Sequence, residues 1–538
     1  MMRPDEAPSE TQVQVVGGRL RGTTEVTEHG PVHRFLGVAY AETPARFAAP
    51  TMVRPWDGTR SAAAFGPSPV QSIGGYADAV PGMQIGAVSE DCLTLNVWSP
   101  PRGGEALPVL VWIAGGAFVT GGTCSPTYDG ARLAAEQDVV VVSANYRLGA
   151  FGFLDLRSFG GDAIGATPNC GLHDQLLALR WVRANIEAFG GDPSRVTLVG
   201  ESAGAGSILH LVPSPRLDGL AHRAIAQSPG VDFTQHPDQA AIVTERLLAQ
   251  VGVGTATELA AVAPEALLDA QGSVSRDLLF ELGTMVFHPV VDDDIVAATP
   301  SVAFARGDGG DVDLLLGSTA HELRLFPDPR ADLLGRTDLE RWVSELLTPR
   351  MGGRTPSGAE VARLVDGYSA RVAGTTRPSG SDLWAELAAD GTMRLPVERI
   401  ADAHSAAIDG SGRAGGATYA YTFAWESRHP TRDLGAFHAI DLPFVFDAFD
   451  DTGWAEFVGV DDAARRLGFA LRSAWGAFAR TGEPSCPAVG PWPLYDTTMR
   501  ATKVLDVPLG IIEDPLAEQR ALWDGLWDPA CRPAGISL

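Results

Sequence analysis

Lysine is almost missing from this 538-residue chain: Lys503 is the only one, although lysine and arginine together number 41, against 66 aspartates and glutamates. The basic side chains are thus nearly all arginine, a bias that fits a GC-rich genome better than any function. A formal charge of −25 argues against nucleic acid and anionic membrane surfaces as partners, since both repel an acidic protein. Cysteine is scarce as well. Cys92, Cys124, Cys170, Cys486 and Cys531 are odd in number and show no metal-ligand spacing. They point to a reduced, cytoplasmic setting. Long apolar runs are lacking: Val109–Phe118 and Val139–Val142 are too short to span a bilayer. The polar segment Met1–Gln14, with two prolines, is no secretory signal. Linkers, charge runs and internal repeats are also missing. Length alone suggests about three or four domains, but an unbroken chain reads as one α/β body over residues 1–538 with long insertions. The 45% hydrophobic content suffices for a substantial core.

Short β-branched runs alternate with helical stretches through much of the chain. Val13–Val16 and Arg19–Thr23, joined by Gly17 and Gly18, read as a hairpin. Arg34–Tyr40, Leu93–Trp98, Pro108–Ala114, Val139–Ala144, Arg223–Gln227, Asp313–Gly317 and Thr418–Phe423 read as strands. Trp492–Asp496 and Thr502–Asp506 read as a late strand pair. Gly130–Gln137, an amphipathic Leu172–Phe189, Asp461–Arg480 and Pro515–Leu526 read as helices, and Thr43–Gly75 as irregular surface. The alternation predicts a mostly parallel sheet covered by helices on both faces. Helical insertions over about 237–282 and 338–408 are placed to cap a site.

The most informative stretch is Val196–Gly206. A β-branched run leads into Gly200-Glu201-Ser202-Ala203-Gly204 and then into a segment able to be helical. This Gly-x-Ser-x-Gly pattern is a tight strand-to-helix turn that exposes the serine at its tip. There the helix N-terminus favours developing negative charge. A plain glycine turn carrying an ordinary serine is the bland alternative, and the flanking strand and helix weaken it.

A serine hydroxyl needs a base, an acid to orient that base, and donors for an oxyanion. The Ser–acid–His order that goes with such a turn places the histidine well downstream. His404, His429 and His438 are the candidates. His438 follows the Thr418–Trp425 run and precedes a compact apolar segment, whereas His429 looks like a surface-loop residue. For the acid, Glu322 lies in the loop after the Asp313–Gly317 strand. Asp292, Asp293 and Asp294 precede that strand and read as a solvated turn or cap. Oxyanion donors are expected from the Ala203 N–H and from the glycine-bearing loop that ends Val109–Phe118. Glu201 has two equal readings: a charge that biases the histidine, or a buried residue holding the turn. Ser228 is a weaker candidate for support of the acid.

Several long segments resemble the type-B carboxylesterase family, which includes the cholinesterases and bacterial para-nitrobenzyl esterases. Ser89–Trp98, Asn145–Leu154 and Leu172–Ala205 are each similar to shared family segments, in the family's order and across nearly the whole chain. His438 and the segment after it look closest to the bacterial branch. The resemblance implies an α/β-hydrolase fold and a serine carboxylesterase acting on a small-molecule ester, with no metal or organic cofactor. It implies Ser202 as nucleophile, Glu322 as acid, His438 as base, and Gly116, Ala117 and Ala203 as oxyanion donors. Three departures stand out. The oxyanion loop reads Ala114-Gly115-Gly116-Ala117 where the family usually has three glycines. Cys92 matches a family half-cystine whose partner near Pro67-Ser68-Pro69 is missing. Between Gln71 and Cys92 the sole aromatic is Tyr76, which argues against a cation-stacking tryptophan and choline selectivity. Two other functions fit less well: a hydrolase specialised for an unusual ester, carbamate or lactone, and a non-catalytic binding protein on the same fold. The sequence leaves the oligomeric state, monomer or homodimer, open.

Overall fold

The computed structural model describes residues 10–527 apart from 44, 73, 75–79, 102, 284, 353, 374–378, 412–414 and 451–452. Tyr76 and Cys531 therefore lie outside the described residues, as do residues 1–9 of the N-terminal segment. Seven strands run parallel through the centre of one large sheet, in the spatial order Val140–Ala144, Leu107–Ile113, Gly191–Glu201, Arg223–Gln227, Asp313–Thr319, Thr418–Phe423 and Thr502–Leu505. Antiparallel strands flank them. Thr94–Ser99, Gly30–Ala39, Gly18–Thr27 and Glu10–Val15 extend one edge, and Gly510–Ile512 closes the other. The sheet is thus mixed: the expected parallel character holds through its centre, and at the edge only the short Thr59–Ser61 strand pairs parallel, with Gly18–Thr27. Its edges are built from hairpins and meanders, which need no crossover helix.

The continuous apolar runs exist because both faces of the central strands are covered. Val109, Val111 and Ile113 enter one core while Leu110, Trp112 and Ala114 enter the other. Leu314 and Leu316 alternate with Leu315 in the same way. The Cys170–Asn185 helix is buried almost all round rather than amphipathic, and its polar Asp174, Gln175 and Asn185 are buried with it. A short 3₁₀ turn, Ile186–Phe189, completes that segment. Asp174 is neutralised by Arg147 through contacts of 2.7 and 2.8 Å. This ion pair ties the helix to the loop after Val140–Ala144.

Three further readings of the sequence change. Thr43–Gly75 contains two short strands, Thr59–Ser61 and Ser68–Pro69. Thr502–Leu505 pairs with Gly510–Ile512, and Trp492–Asp496 is not a strand. The Trp492 indole instead donates to the Ala420 carbonyl at 3.1 Å, so its apolar neighbours signalled burial and not pairing. The second helical stretch starts at Arg336, ends at Ser411 and is interrupted by a π turn at Asp390–Arg394.

Both helical stretches leave from the C-terminal ends of parallel strands. The first, from Pro237 to Leu282, follows Arg223–Gln227, and the second follows Asp313–Thr319. That is the end of the sheet at which Gly191–Glu201 delivers Ser202. The turn there is made by contact. A Cβ on Gly204 would lie 2.0 Å from the Ile113 carbonyl oxygen of the neighbouring strand, and one on Gly200 would lie 2.8 Å from the Gly204 carbonyl carbon. Gly206, two residues further along, has no Cβ contact closer than 3.2 Å. Gly204→Ala is therefore expected to cost about 3 kcal/mol or to prevent folding, whereas Gly206→Ala changes stability by less than about 1 kcal/mol. Denaturant unfolding of the two variants checks this, and equal midpoints would contradict it.

Candidate active site

Ser202 sits between the Gly191–Glu201 strand and the Ala203–Leu211 helix with φ 56° and ψ −124°. A non-glycine residue adopts such a backbone only where its surroundings enforce it. Here its N–H donates to the Gln227 carbonyl at 2.9 Å, and its carbonyl accepts from Gly206 N–H at 2.8 Å. The side chain is half-buried, while Glu201, Glu322 and His438 are buried.

Glu322 begins a 3₁₀ turn directly after the Asp313–Thr319 strand. One carboxylate oxygen accepts from Thr319 N–H at 2.8 Å, and the other lies 2.7 Å from His438 Nδ1. The Glu322 carbonyl also accepts the His438 N–H at 3.1 Å, so both backbone and side chain join the two loops. On the far side of the ring, His438 Nε2 is 3.1 Å from Glu201 Oε1. The imidazole thus lies between two buried carboxylates, one of them adjacent to Ser202 in the chain. Burial alone would lower the His438 pKa, but Glu201, the Glu322 hydrogen bond and Asp441 outweigh it and raise the value above the ordinary imidazole range. Burial pushes the Glu201 carboxyl well up. Glu322 is held below its usual value despite burial, through its hydrogen bond and charge interaction with His438 and support from the Ser228 hydroxyl and Thr319 N–H.

The loop expected to supply oxyanion donors packs against this group. A Cβ on Gly115 would lie 2.9 Å from Glu201 Oε2 and 3.1 Å from Ser202 Cβ. Gly116 has φ 121°, and Ala117 and Phe118 keep left-handed backbones at φ 53° and 62° in spite of their side chains. The hydrogen bonds among the described residues leave the N–H groups of Gly116, Ala117 and Ala203 without an acceptor. Ala203 is the first residue of its helix, where such donors are expected to be free.

The other candidates lie elsewhere. His404 is buried with Nδ1 2.7 Å from the Thr418 hydroxyl, and His429 lies against Phe457 near the surface. Asp292 caps a turn by accepting three N–H groups, and Asp294 pairs with Arg216. Cys92, Cys124, Cys170 and Cys486 are free thiols. Glu28, His29 and Asp447 form the one metal-type cluster among the described residues. It is a largely exposed group. Among the described residues, no helix is long and apolar enough to cross a membrane.

Sequence reasoning missed Asp441. Its carboxylate accepts from Gln227 Nε2 at 2.7 Å, and Gln227 Oε1 accepts from the Trp475 indole at 3.2 Å. Burial raises the Asp441 pKa, with the Glu322 charge adding to it. The available signal was one acidic residue inside the apolar run Ala439–Phe446, three places after His438.

A model of the Carboxylesterase family matches residues 9–520. The chain belongs to that family. It is 36% identical over 516 residues to para-nitrobenzyl esterase of Bacillus subtilis (strain 168), covering 94% of this chain and 96% of that one. It is 33% identical over 475 residues to phenmedipham hydrolase of Pseudarthrobacter oxydans, covering 86% and 89%. Among solved structures it resembles a thermophilic PNB esterase with a TM-score of 0.82 at 33% identity, over 96% of this chain and 100% of the other. The fold is therefore that of the α/β-hydrolases, and the enzyme is a carboxylic ester hydrolase.

The charge around His438 is directly measurable. Replacing Glu201 by glutamine removes one of the anions that stabilise the imidazolium, so the His438 pKa is expected to fall by about one unit or more. A pH titration of the ring protons by NMR reads this, and an unchanged or higher pKa in Glu201→Gln would contradict it.

Proposed function

We propose that this carboxylesterase works through Ser202, Glu322 and His438, with Gly116, Ala117 and Ala203 as oxyanion donors. The observation that carries the reading is the buried imidazole. Its Nδ1 is held at 2.7 Å by Glu322, and its Nε2 lies 3.1 Å, without a hydrogen bond, from Glu201, the residue before the half-buried serine. His438 takes the Ser202 proton as Oγ bonds to the ester carbonyl carbon, and the carbonyl electron pair moves onto oxygen. Amide N–H groups aimed at that oxygen stabilise it where charge develops, each worth about 2.7–4 kcal/mol. Collapse breaks the bond to the alcohol, which leaves with the proton from His438. Water then repeats the sequence on the acyl-enzyme. Glu322 fixes the tautomer in which Nδ1 carries hydrogen, and together with Glu201 it stabilises the imidazolium between steps.

Small esters of para-nitrobenzyl or aryl alcohols are the substrates to try first, on the strength of the Bacillus relative's name. We read residues 1–538 as one domain and place the enzyme in the cytoplasm, a reading supported by the four free thiols among the described residues. The loop departure at Ala117 narrows the space beside the serine, and a panel of acyl chain lengths and alcohol sizes separates a generalist from a specialised hydrolase.

Ser202→Ala is expected to abolish turnover of a small aryl ester with an unchanged unfolding midpoint; turnover retained by the purified variant would remove the mechanism. The sign of the pH dependence follows from His438. Below its raised pKa the ring is already protonated and accepts nothing, so kcat/KM falls as pH falls through that value. In Glu201→Gln the acid limb moves to lower pH. A limb that stays in place or moves upward would show that His438 is not the titrating base.

A further inference from the structure

Gln71 belongs to neither the triad nor the loop of donors, yet all four hydrogen-bonding positions of its side-chain amide are used. Oε1 accepts from the Thr120 hydroxyl and from Gly121 N–H, both at 2.7 Å. Nε2 donates to the Gly121 carbonyl at 2.7 Å and to the Pro69 carbonyl at 2.9 Å. The residue is 2% exposed. Turning the amide over would set its oxygen against two carbonyls, so its orientation is fixed. Both main-chain groups of Gly121 are thereby clamped to one side chain.

Gly121 closes the loop that Gly115–Phe118 opens. The Gly116 carbonyl accepts from Val119 and Thr120 N–H, both at 3.0 Å, and a Cβ on Gly121 would lie 2.6 Å from the Gly115 carbonyl oxygen. Within this loop Ala117 and Phe118 hold left-handed backbones that their side chains disfavour. Such a conformation persists only when neighbours over-determine it. Tyr146 OH bonds the Ala114 carbonyl at 2.8 Å, Gly149 N–H bonds the Phe118 carbonyl at 2.7 Å, and Gln71 secures the return at Thr120 and Gly121.

We propose that Gln71 is the positioning residue of the oxyanion loop: it clamps Thr120 and Gly121 so that the Gly116 and Ala117 N–H groups stay turned towards Ser202. This rests on the assignment of those groups as oxyanion donors. Gln71 touches no reacting atom, and its effect appears where negative charge forms on the carbonyl oxygen, not in ground-state ester binding.

Gln71→Met keeps the volume and removes all four hydrogen bonds, and Thr120→Val removes one of them. Both are compared with the wild type and with Ser202→Ala for kcat and KM on para-nitrophenyl acetate, for inhibition by an aryl trifluoromethyl ketone, and for unfolding midpoint. The ketone forms a tetrahedral serine adduct and so reports on the oxyanion site. In Gln71→Met, kcat and ketone affinity are expected to fall together by about tenfold or more, with KM within about threefold. Thr120→Val shifts both in the same direction by less, and it carries the test if Gln71→Met does not fold. The proposal is overturned if kcat and ketone affinity stay within about threefold of wild type in these variants, or if KM alone changes. Turnover retained by Ser202→Ala would instead overturn the reading beneath it, whatever Gln71 does.

Discussion

One close approach organises the molecule: the bend at Gly200–Gly204 lies so tightly against the Ile113 carbonyl that no side chain fits at Gly204. That contact joins two neighbouring parallel strands at their C-terminal ends. It drives Ser202 into a backbone conformation that the Gln227 and Gly206 hydrogen bonds then hold. Strain of this kind costs on the order of 1–3 kcal/mol. The surrounding sheet, apolar on both faces, supplies the rigidity to sustain it. The same bend begins the Ala203–Leu211 helix, so the geometry that sets Ser202 at the turn also leaves the Ala203 N–H at the helix start.

The second constraint is electrostatic. Glu201, Glu322 and Asp441 are three buried carboxyls around one imidazole. Burying so many acids is expensive, and it pushes Glu201 and Asp441 towards their protonated forms. Glu322 is held below its usual value by its hydrogen bonds from His438 and Thr319, while the imidazolium charge opposes the rise at Glu201 and Asp441. Separation of the acids by environment assigns them separate work. Glu322 holds the ring by its hydrogen bond, and the charges of all three favour the proton on it. Breaking such a buried group by removing one member typically costs about 3–5 kcal/mol.

Much of this was legible in the sequence, for physical reasons. Central parallel strands must be apolar on both sides, so Val109–Phe118 and Val139–Ala144 announced themselves. The Gly200–Gly204 pattern works through sterics and is therefore short and local. Glu322 and His438 could be placed by their position after strands. The rest depends on contacts between distant segments. Asp441 looks like an ordinary helix-start residue until Gln227 and Trp475 are brought beside it. Gln71 lies in a segment that reads as irregular surface, and its value comes from Gly121, fifty residues on. Trp492 misled because an apolar run signals burial and cannot by itself say whether the backbone pairs. Ala117 shows the converse: the sequence suggested a loop that had lost a glycine, yet the left-handed backbone is kept.

The central claim is that one hydroxyl, Ser202, is the activated nucleophile. The most direct measurement is covalent capture: the enzyme is inactivated with a fluorophosphonate, digested, and the modified peptide sequenced by mass spectrometry. A single adduct on Ser202, formed in step with loss of esterase activity, is the expected result. Complete inactivation with the adduct on another residue, or full labelling of Ser202 with activity intact, would contradict the account.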